Sequence, residues 1–548
     1  MSDIGVFNSL VTYHTIKEAI MGKFNKPVRT GVTSPVKTTK SALNADFKAG
    51  FARTQQSELF LLAVSNFVGK DTFYETAQNR DDRFAKLSAE VAVADPQWFG
   101  GFVGWLRNDA FMRSASVVAA VEGAKALYDS GVMNGTPRAL VAASQARADE
   151  PGEVLAYYEA KYGKNFPAFL KKGVADGAKR LYNEYSLLKY DTDSKGYRFA
   201  DVLQLTHAKA EGTNQNALFK YALDRRYGNG SIEGHDYALD MISTRANLMA
   251  APVEKRKALI GTQAGMQTLS RAGFTWEALS GWLQGPMDAT AWEAVIPNMG
   301  YMALLRNLRN FVDAEISATV LRRVLNKLAD PEQVAKSKQF PFRFLAAYQA
   351  NKGNLKIASA LEEALEASLS NVPSLKGRTL ILVDRSGSMF DTNGGTQGLD
   401  RADTAAIFGS ALALRAEDAD LVQFGSSWGG RKPYEAVTFK KGNSLLPMLD
   451  KFRDMGGTDT RAAVQGSFKN HDRIIIVTDE QYNGWGGDPL TSVPANVPVY
   501  TWNLGGYRVA QSESGSKKRH TFGGLTDKGF QMIPLIEAGQ SQQWPWES

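Results

Sequence analysis

The sequence contains no cysteine. That removes disulfides, thiolate metal sites and cysteine nucleophiles together. Only five histidines occur, His14, His207, His235, His471 and His520, and none shows the HExxH spacing of a zinc site. No apolar run approaches the ~18 residues of a membrane span. The opening stretch MSDIGVFNSLVTYHTIKEAI lacks the basic, apolar and small-residue order of a secretory signal. No GxxxxGK[ST] phosphate loop is present, and the glycines near 523 do not make one. These absences lead to the expectation of a cytoplasmic protein with no membrane anchorage and no catalysis of its own.

What is present is an ordinary globular balance, 43% hydrophobic and 22% charged, in 548 residues. At roughly 100–200 residues per domain, the chain holds more than one. The net charge is +7, and its placement is uneven. Residues 371–548 carry 19 basic and 19 acidic side chains, whereas residues 1–370 carry 45 and 38. A basic segment favours acidic partners, nucleic acid first, although the same excess over 370 residues also suits a plain soluble surface.

The pattern divides the chain at the same place. Residues 22–45, rich in Lys, Thr, Pro and Gly, read as an extended basic segment. From about 46 to 370 apolar residues recur at helical spacing. In YMALLRNLRNFV, Tyr301, Leu304, Leu305, Leu308, Phe311 and Val312 take one face. Similar runs at 57–68, 98–127, 136–161, 167–190, 199–226, 236–250, 254–282, 314–329 and 355–370 predict stacked helix pairs of the HEAT kind, without a strict repeat period. After 370 the short apolar runs TLILV, DLVQF, IIIVT and PVYTW alternate with helical stretches near 402–416, 444–453 and 460–469. That alternation predicts a doubly wound, mostly parallel sheet, with ligands at the carboxyl ends of its strands.

Three stretches meet there. TLILV runs into DRSGS, which supplies Asp384, Ser386 and Ser388; GGTDT supplies Thr458; and IIIVTDE ends at Asp479. Two carboxylates and three hydroxyls make an all-oxygen donor set suited to a hard divalent cation such as Mg²⁺. Together these motifs resemble the metal-ion-dependent adhesion site of a von Willebrand factor A domain. The resemblance covers about 375–548. It implies a cation whose open position accepts a carboxylate from an acidic protein partner.

A long helical part followed by such a domain resembles the Ro autoantigen family of the bacterial type, whose helical part is the TROVE module. TQQSELFLLAVSN (54–66), GYRFADVLQLTHAKA (196–210), MALLRNLRNF (302–311) and PFRFLAAYQA (341–350) carry the resemblance. It implies a TROVE helical ring over residues 1–370 joined by an A domain over 371–548, and a monomer. It implies Y-like small noncoding RNA on the outer surface, single-stranded 3′ ends of misfolded RNA in the hole, and an exoribonuclease partner. His207 matches a family histidine that contacts Y RNA, and Lys189 a family lysine of the same region. The loop DTDSKG departs in length, leaving Lys195 or Arg198 for the next basic position. The residues themselves add a stripe in FLKKGVADGAKRLY. Lys172 and Lys179 share a helical face, with Lys171 and Arg180 beside them, and Asp176 is placed to pair with Lys172. KKRH (517–520) reads as a solvated loop. The alternative reading is a metal-dependent protein scaffold with little affinity for RNA.

Overall fold

The computed structural model describes residues 31–65, 68–228, 237–390, 401–427, 432–442, 444–482 and 487–547. His14, His235 and residues 22–30 of the basic segment lie outside them.

From Gln55 to Ser368 helix follows helix, more finely divided than the periodicity predicts. The 98–127 run is two helices, Pro96–Asn108 and Arg113–Asp129, broken where Phe111 adopts a left-handed φ of 59°. YMALLRNLRNFV breaks at Asn307, whose buried amide donates to Ala303 O at 2.8 Å. The helix Ala77–Ala94 was not foreseen; its apolar stripe of Phe84, Leu87 and Val91 is narrow among polar residues. Asp95 ends that helix and starts the next: its N–H bonds Val91 O, and its carboxylate accepts from Trp98 N at 3.0 Å. Gly123 lets neighbouring helices approach, since a Cβ there would lie 2.2 Å from Phe99.

Six strands form one sheet in the order β5-β4-β3-β6-β7-β9: β3 (Leu375–Asp384), β4 (Ala416–Phe424), β5 (Tyr434–Ala436), β6 (Arg473–Thr478), β7 (Val499–Asn503) and β9 (Arg519–Gly523). All are parallel except β5 at the edge. The four strands read from the sequence are there; β5 and β9 are additional. Alternate residues face two cores. Leu380, Leu382, Ile474 and Ile476 pack with Ala463 and Val464, whereas Ile381, Val383, Ile475 and Val477 pack with the helix Arg401–Arg415. From central β3 the chain goes first to β4 on one side and later to β6 on the other, so the carboxyl ends of β3 and β6 border the topological switch.

The helices pack mainly on near neighbours in sequence, and the array meets the sheet at its first helix and a helix beside the sheet near its other end. Gln55–Ser65 packs on β9, and Pro341–Ala350 packs on Arg401–Arg415. Part of the segment expected to be extended or helical is a hairpin, β1 (Thr38–Leu43) and β2 (Ala49–Arg53), that pairs with β8 (Val509–Ala510). Gln542 N donates to Thr33 O at 2.9 Å. Trp544 and Trp546 sit among Phe60, Trp98, Phe102 and Trp105 of the first helices. No described helix is long and apolar enough to cross a membrane.

KKRH is only half a solvated loop. Lys517 and Lys518 form a turn with φ of 53° and 57°, but His520 is buried in β9, with Nδ1 3.0 Å from Ser34 Oγ. Burial and the Arg519 charge lower its pKa from 6.5 to about 4. The folded state then binds fewer protons than the unfolded state between those values, so stability falls as pH drops through this window. His520→Asn should remove about 3 kcal/mol of that acid sensitivity, read from urea unfolding at a series of pH values.

Candidate cation site and nucleic-acid interface

Asp384 is the last residue of β3, and the chain turns immediately behind it. Ser386 N donates to Asp384 Oδ1 at 2.9 Å, and Ser386 Oγ lies 3.3 Å from Ser388 Oγ. The second loop is drawn against this turn by the backbone: Gly387 N bonds Gly456 O, and Met455 N bonds Arg385 O at 2.8 Å. Thr458 follows, 2% exposed. Asp479 stands one residue past β6 and accepts from Gln481 N at 3.0 Å through Oδ1, while its Oδ2 is buried with no hydrogen-bond partner. The structure thus gathers the segments of all five sequence-derived donors at one edge of the sheet, each side chain buried.

Burial and then the Asp479 charge raise Asp384 to about 7. Asp479 is raised as well, chiefly by burial. Two neighbouring buried carboxylates, one with an idle oxygen, are costly without a compensating positive charge. The donor chemistry fits a hard divalent cation held by Asp384, Ser386, Ser388, Thr458 and Asp479. Among the described residues no cluster of three or more His, Cys, Asp or Glu suited to a metal occurs, so this site depends on its hydroxyls. Sequence reasoning missed Thr478, whose hydroxyl donates to Asp384 Oδ2 at 2.5 Å and accepts from Glu480 N at 3.0 Å. Its signal was its place as the last residue of IIIVT.

The six basic candidates of the helical part divide. His207 caps the helix Phe199–Thr206 in the left-handed region, φ 53°, and is exposed. Lys172 is exposed with no acidic partner among the described residues, because Asp176 is held by Arg138 at 2.6 Å instead. Lys189 is exposed, its ammonium over the rings of Tyr185 and Tyr190 at 5.4 and 5.2 Å. Lys179 pairs with Glu211 at 3.5 Å, and its carbonyl accepts from Gln215 at 2.7 Å, so the loop after His207 lies against the end of the helix Ala168–Leu181. Lys189 adjoins the opposite end of Phe199–Thr206, next to Asp191.

One candidate, Arg198, is corrected, and a second, Arg180, is exposed but partly engaged. Arg198 is 7% exposed and bound to Asp191 at 2.8 Å and Asp193 at 2.6 Å, so its charge is spent inside the loop. Arg180 donates to Ala142 O at 3.0 Å and to Gln145 O, satisfying carbonyls at the end of the helix Thr136–Ala143. The other option for the variable position, Lys195, pairs with Asp149 at 3.5 Å.

Residues 153–372, which contain all six of these positions, match the family model of the TROVE domain. Residues 153–372 are similar to a TROVE domain. Telomerase protein component 1 of Mus musculus is 38% identical over 116 residues, 21% of this chain and 4% of that protein. RNA-binding protein RO60 of Deinococcus radiodurans is 26% identical over 322 residues, 53% of this chain and 55% of that protein. The chain therefore matches a small part of the first relative and about half of the second. The crystal structure of the Ro (RSR) protein of Deinococcus radiodurans superposes with a TM-score of 0.58 at 17% identity, covering 89% of this chain and 100% of that one. That likeness shows a shared fold that extends beyond the TROVE match at both ends.

The corrected roles are separable by stability. Arg198→Ala should destabilise the protein by about 3 kcal/mol by leaving Asp191 buried without its main partner, whereas Lys172→Ala should leave the denaturation midpoint unchanged.

Proposed function

We propose that the protein is the RNA-binding component of a ribonucleoprotein, with no catalysis of its own. The observation that carries this reading is the TROVE match, inside which His207 and Lys172 stand exposed on the surface. Lysines on such a surface contact phosphates, and an exposed imidazole stacks on or hydrogen-bonds to an unpaired base. The ligand of this outer surface is a Y-like small noncoding RNA. The helical array, closed by the sheet domain at both ends, makes a ring. Its hole takes single-stranded ends of misfolded RNA, and the complex serves RNA quality control or decay beside an exoribonuclease.

The sheet domain is a von Willebrand factor A domain, and its carboxyl-edge site holds Mg²⁺. The idle Asp479 oxygen and the raised Asp384 pKa support this assignment. Bound there, the cation supplies a Lewis-acidic position for one further acidic oxygen. The same observations favour a second reading, a scaffold that clamps an acidic protein partner through the cation. The two functions use different parts of the chain and are compatible.

His207→Ser should weaken binding of a structured small RNA on the order of tenfold without moving the melting temperature, measured by filter binding and calorimetry. Equal affinity in a folded variant counts against the outer-surface assignment. Asp384→Ala should abolish Mg²⁺ binding by titration calorimetry and leave RNA affinity as in the unaltered protein. Mg²⁺ binding that survives this change removes the cation site.

A further inference from the structure

The first helices, the late part of the helical array, the sheet and the last residues of the chain come together without filling the space between them. A cavity of about 510 Å³ remains. Its walls are drawn from stretches far apart in sequence. Phe60 and Trp105 come from the first helices, Phe340 from the N-cap of Pro341–Ala350, Phe522 and Leu525 from the end of β9 and just beyond it, and Trp546 from the last residues. β9 is the edge strand, with β7 between it and β6, so the cavity is separate from the cation site. Protein interiors leave few voids larger than a water molecule. A mainly apolar space of this volume at a junction between parts of a fold is the usual setting of a small-molecule site.

The rim adds charge. Lys528 lines the cavity and is exposed; its Nζ donates to Asp109 O at 3.1 Å and stands 4.8 Å from the centre of the Phe111 ring. Lys338 caps the helix Pro331–Ser337, is also exposed, and reaches the same ring at 4.6 Å. Phe111 sits between Ala110 and Met112, which both line the cavity, and its φ of 59° lies in the left-handed region. A bulky residue rarely adopts that conformation, and it persists where the surrounding structure over-determines it. Two ammonium groups from remote parts of the chain therefore lie within 5 Å of one ring. Neither has a carboxylate within ion-pair distance among the described residues. Exposed Asp109 places one negative charge on the same rim, which leaves it with a positive excess. An apolar cavity below a cationic rim is complementary to a molecule with an apolar body and an anionic head.

We propose that this cavity binds a small carboxylic acid with an apolar body, its carboxylate held at Lys338 and Lys528 and its body among the rings of Phe60, Trp105, Phe340, Phe522 and Trp546. A ligand there touches the first helices, a late helix, the sheet and the chain's last residues at once, so it stabilises their association. The site goes beyond the RNA and cation readings and depends on neither.

The test is titration of the full chain with dodecanoate below its micelle concentration, read by tryptophan fluorescence and calorimetry. Unaltered protein should bind one equivalent, and its melting temperature should climb with ligand concentration. Octanoate should bind more weakly by about fourfold for each methylene removed. Dodecanol, with no charged head, should bind on the order of tenfold more weakly than dodecanoate. Naphthalene-2-carboxylate, titrated in the same way, tells a flat body from a flexible one, and binding of either acid supports the site. Lys338→Gln/Lys528→Gln should erase the preference for acid over alcohol and spare dodecanol binding. Met532→Trp, at a half-buried position on the cavity wall, should fill the space and abolish binding of both. The two lysines are exposed, so their variant keeps the test decisive should the filled cavity destabilise the fold. Failure of both acids to bind overturns the proposal. Equal affinity for dodecanoate and dodecanol in unaltered protein, an undiminished preference in the lysine variant, or undiminished binding in folded Met532→Trp does so as well.

Discussion

The N-terminal end of the helical array is held to the sheet by a buried ion pair. Arg53, the last residue of the N-terminal hairpin, meets Glu480, one residue past the cation-site carboxylate Asp479, and both side chains are fully buried. Removing two charges from water is expensive, and this pair is not completely satisfied: Glu480 Oε2 also accepts from Asn503 at 2.6 Å, but Oε1 has no partner. A buried pair of this kind adds little net stability compared with apolar residues, yet losing one member is severe. Its effect here is to specify register. Ser65 bonds Asn503 O, and Asn44 bonds Tyr482 O, so the hairpin and first helix can seat on the sheet edge in only one way. Trp544 and Trp546 complete the closure from the other terminus.

That closure lies beside an electrostatically strained edge of the sheet. At the carboxyl edge of β3 and β6, two buried carboxylates, Asp384 and Asp479, have one guanidinium acting on them, that of Arg401 at Asp479. Both carboxyls are still raised, chiefly by burial, so the edge remains short of positive charge. The contrast with Arg198 is informative. An arginine already satisfied by Asp191 and Asp193 gains little from a phosphate.

The sequence reveals most where chemistry is tied to a strand end. TLILV, DRSGS, GGTD and IIIVTD predicted both the central strands and the donor cluster, because a two-sided buried strand followed by carboxylate and hydroxyls has few other structural meanings. It reveals least where partners are remote. Nothing local to residues 38–53 indicates that they pair with Val509 and Ala510, more than 450 positions away. Basic residues are the hardest to read. Arg198 and Arg180 look like surface charge in sequence, and only the fold shows their guanidinium groups turned onto Asp191 and onto the Ala142 carbonyl. Lys172 fails in the opposite sense, since Arg138, from another helix, takes the Asp176 that spacing had given to it.

The central claim is that this chain holds RNA in the cell, and the most direct measurement is to purify the full protein from its own cells at moderate salt and sequence the nucleic acid that accompanies it. The account predicts recovery of an abundant, structured small RNA, lost as the salt is raised. Protein that is reproducibly free of RNA at moderate salt would contradict it and leave the cation site as the functional centre.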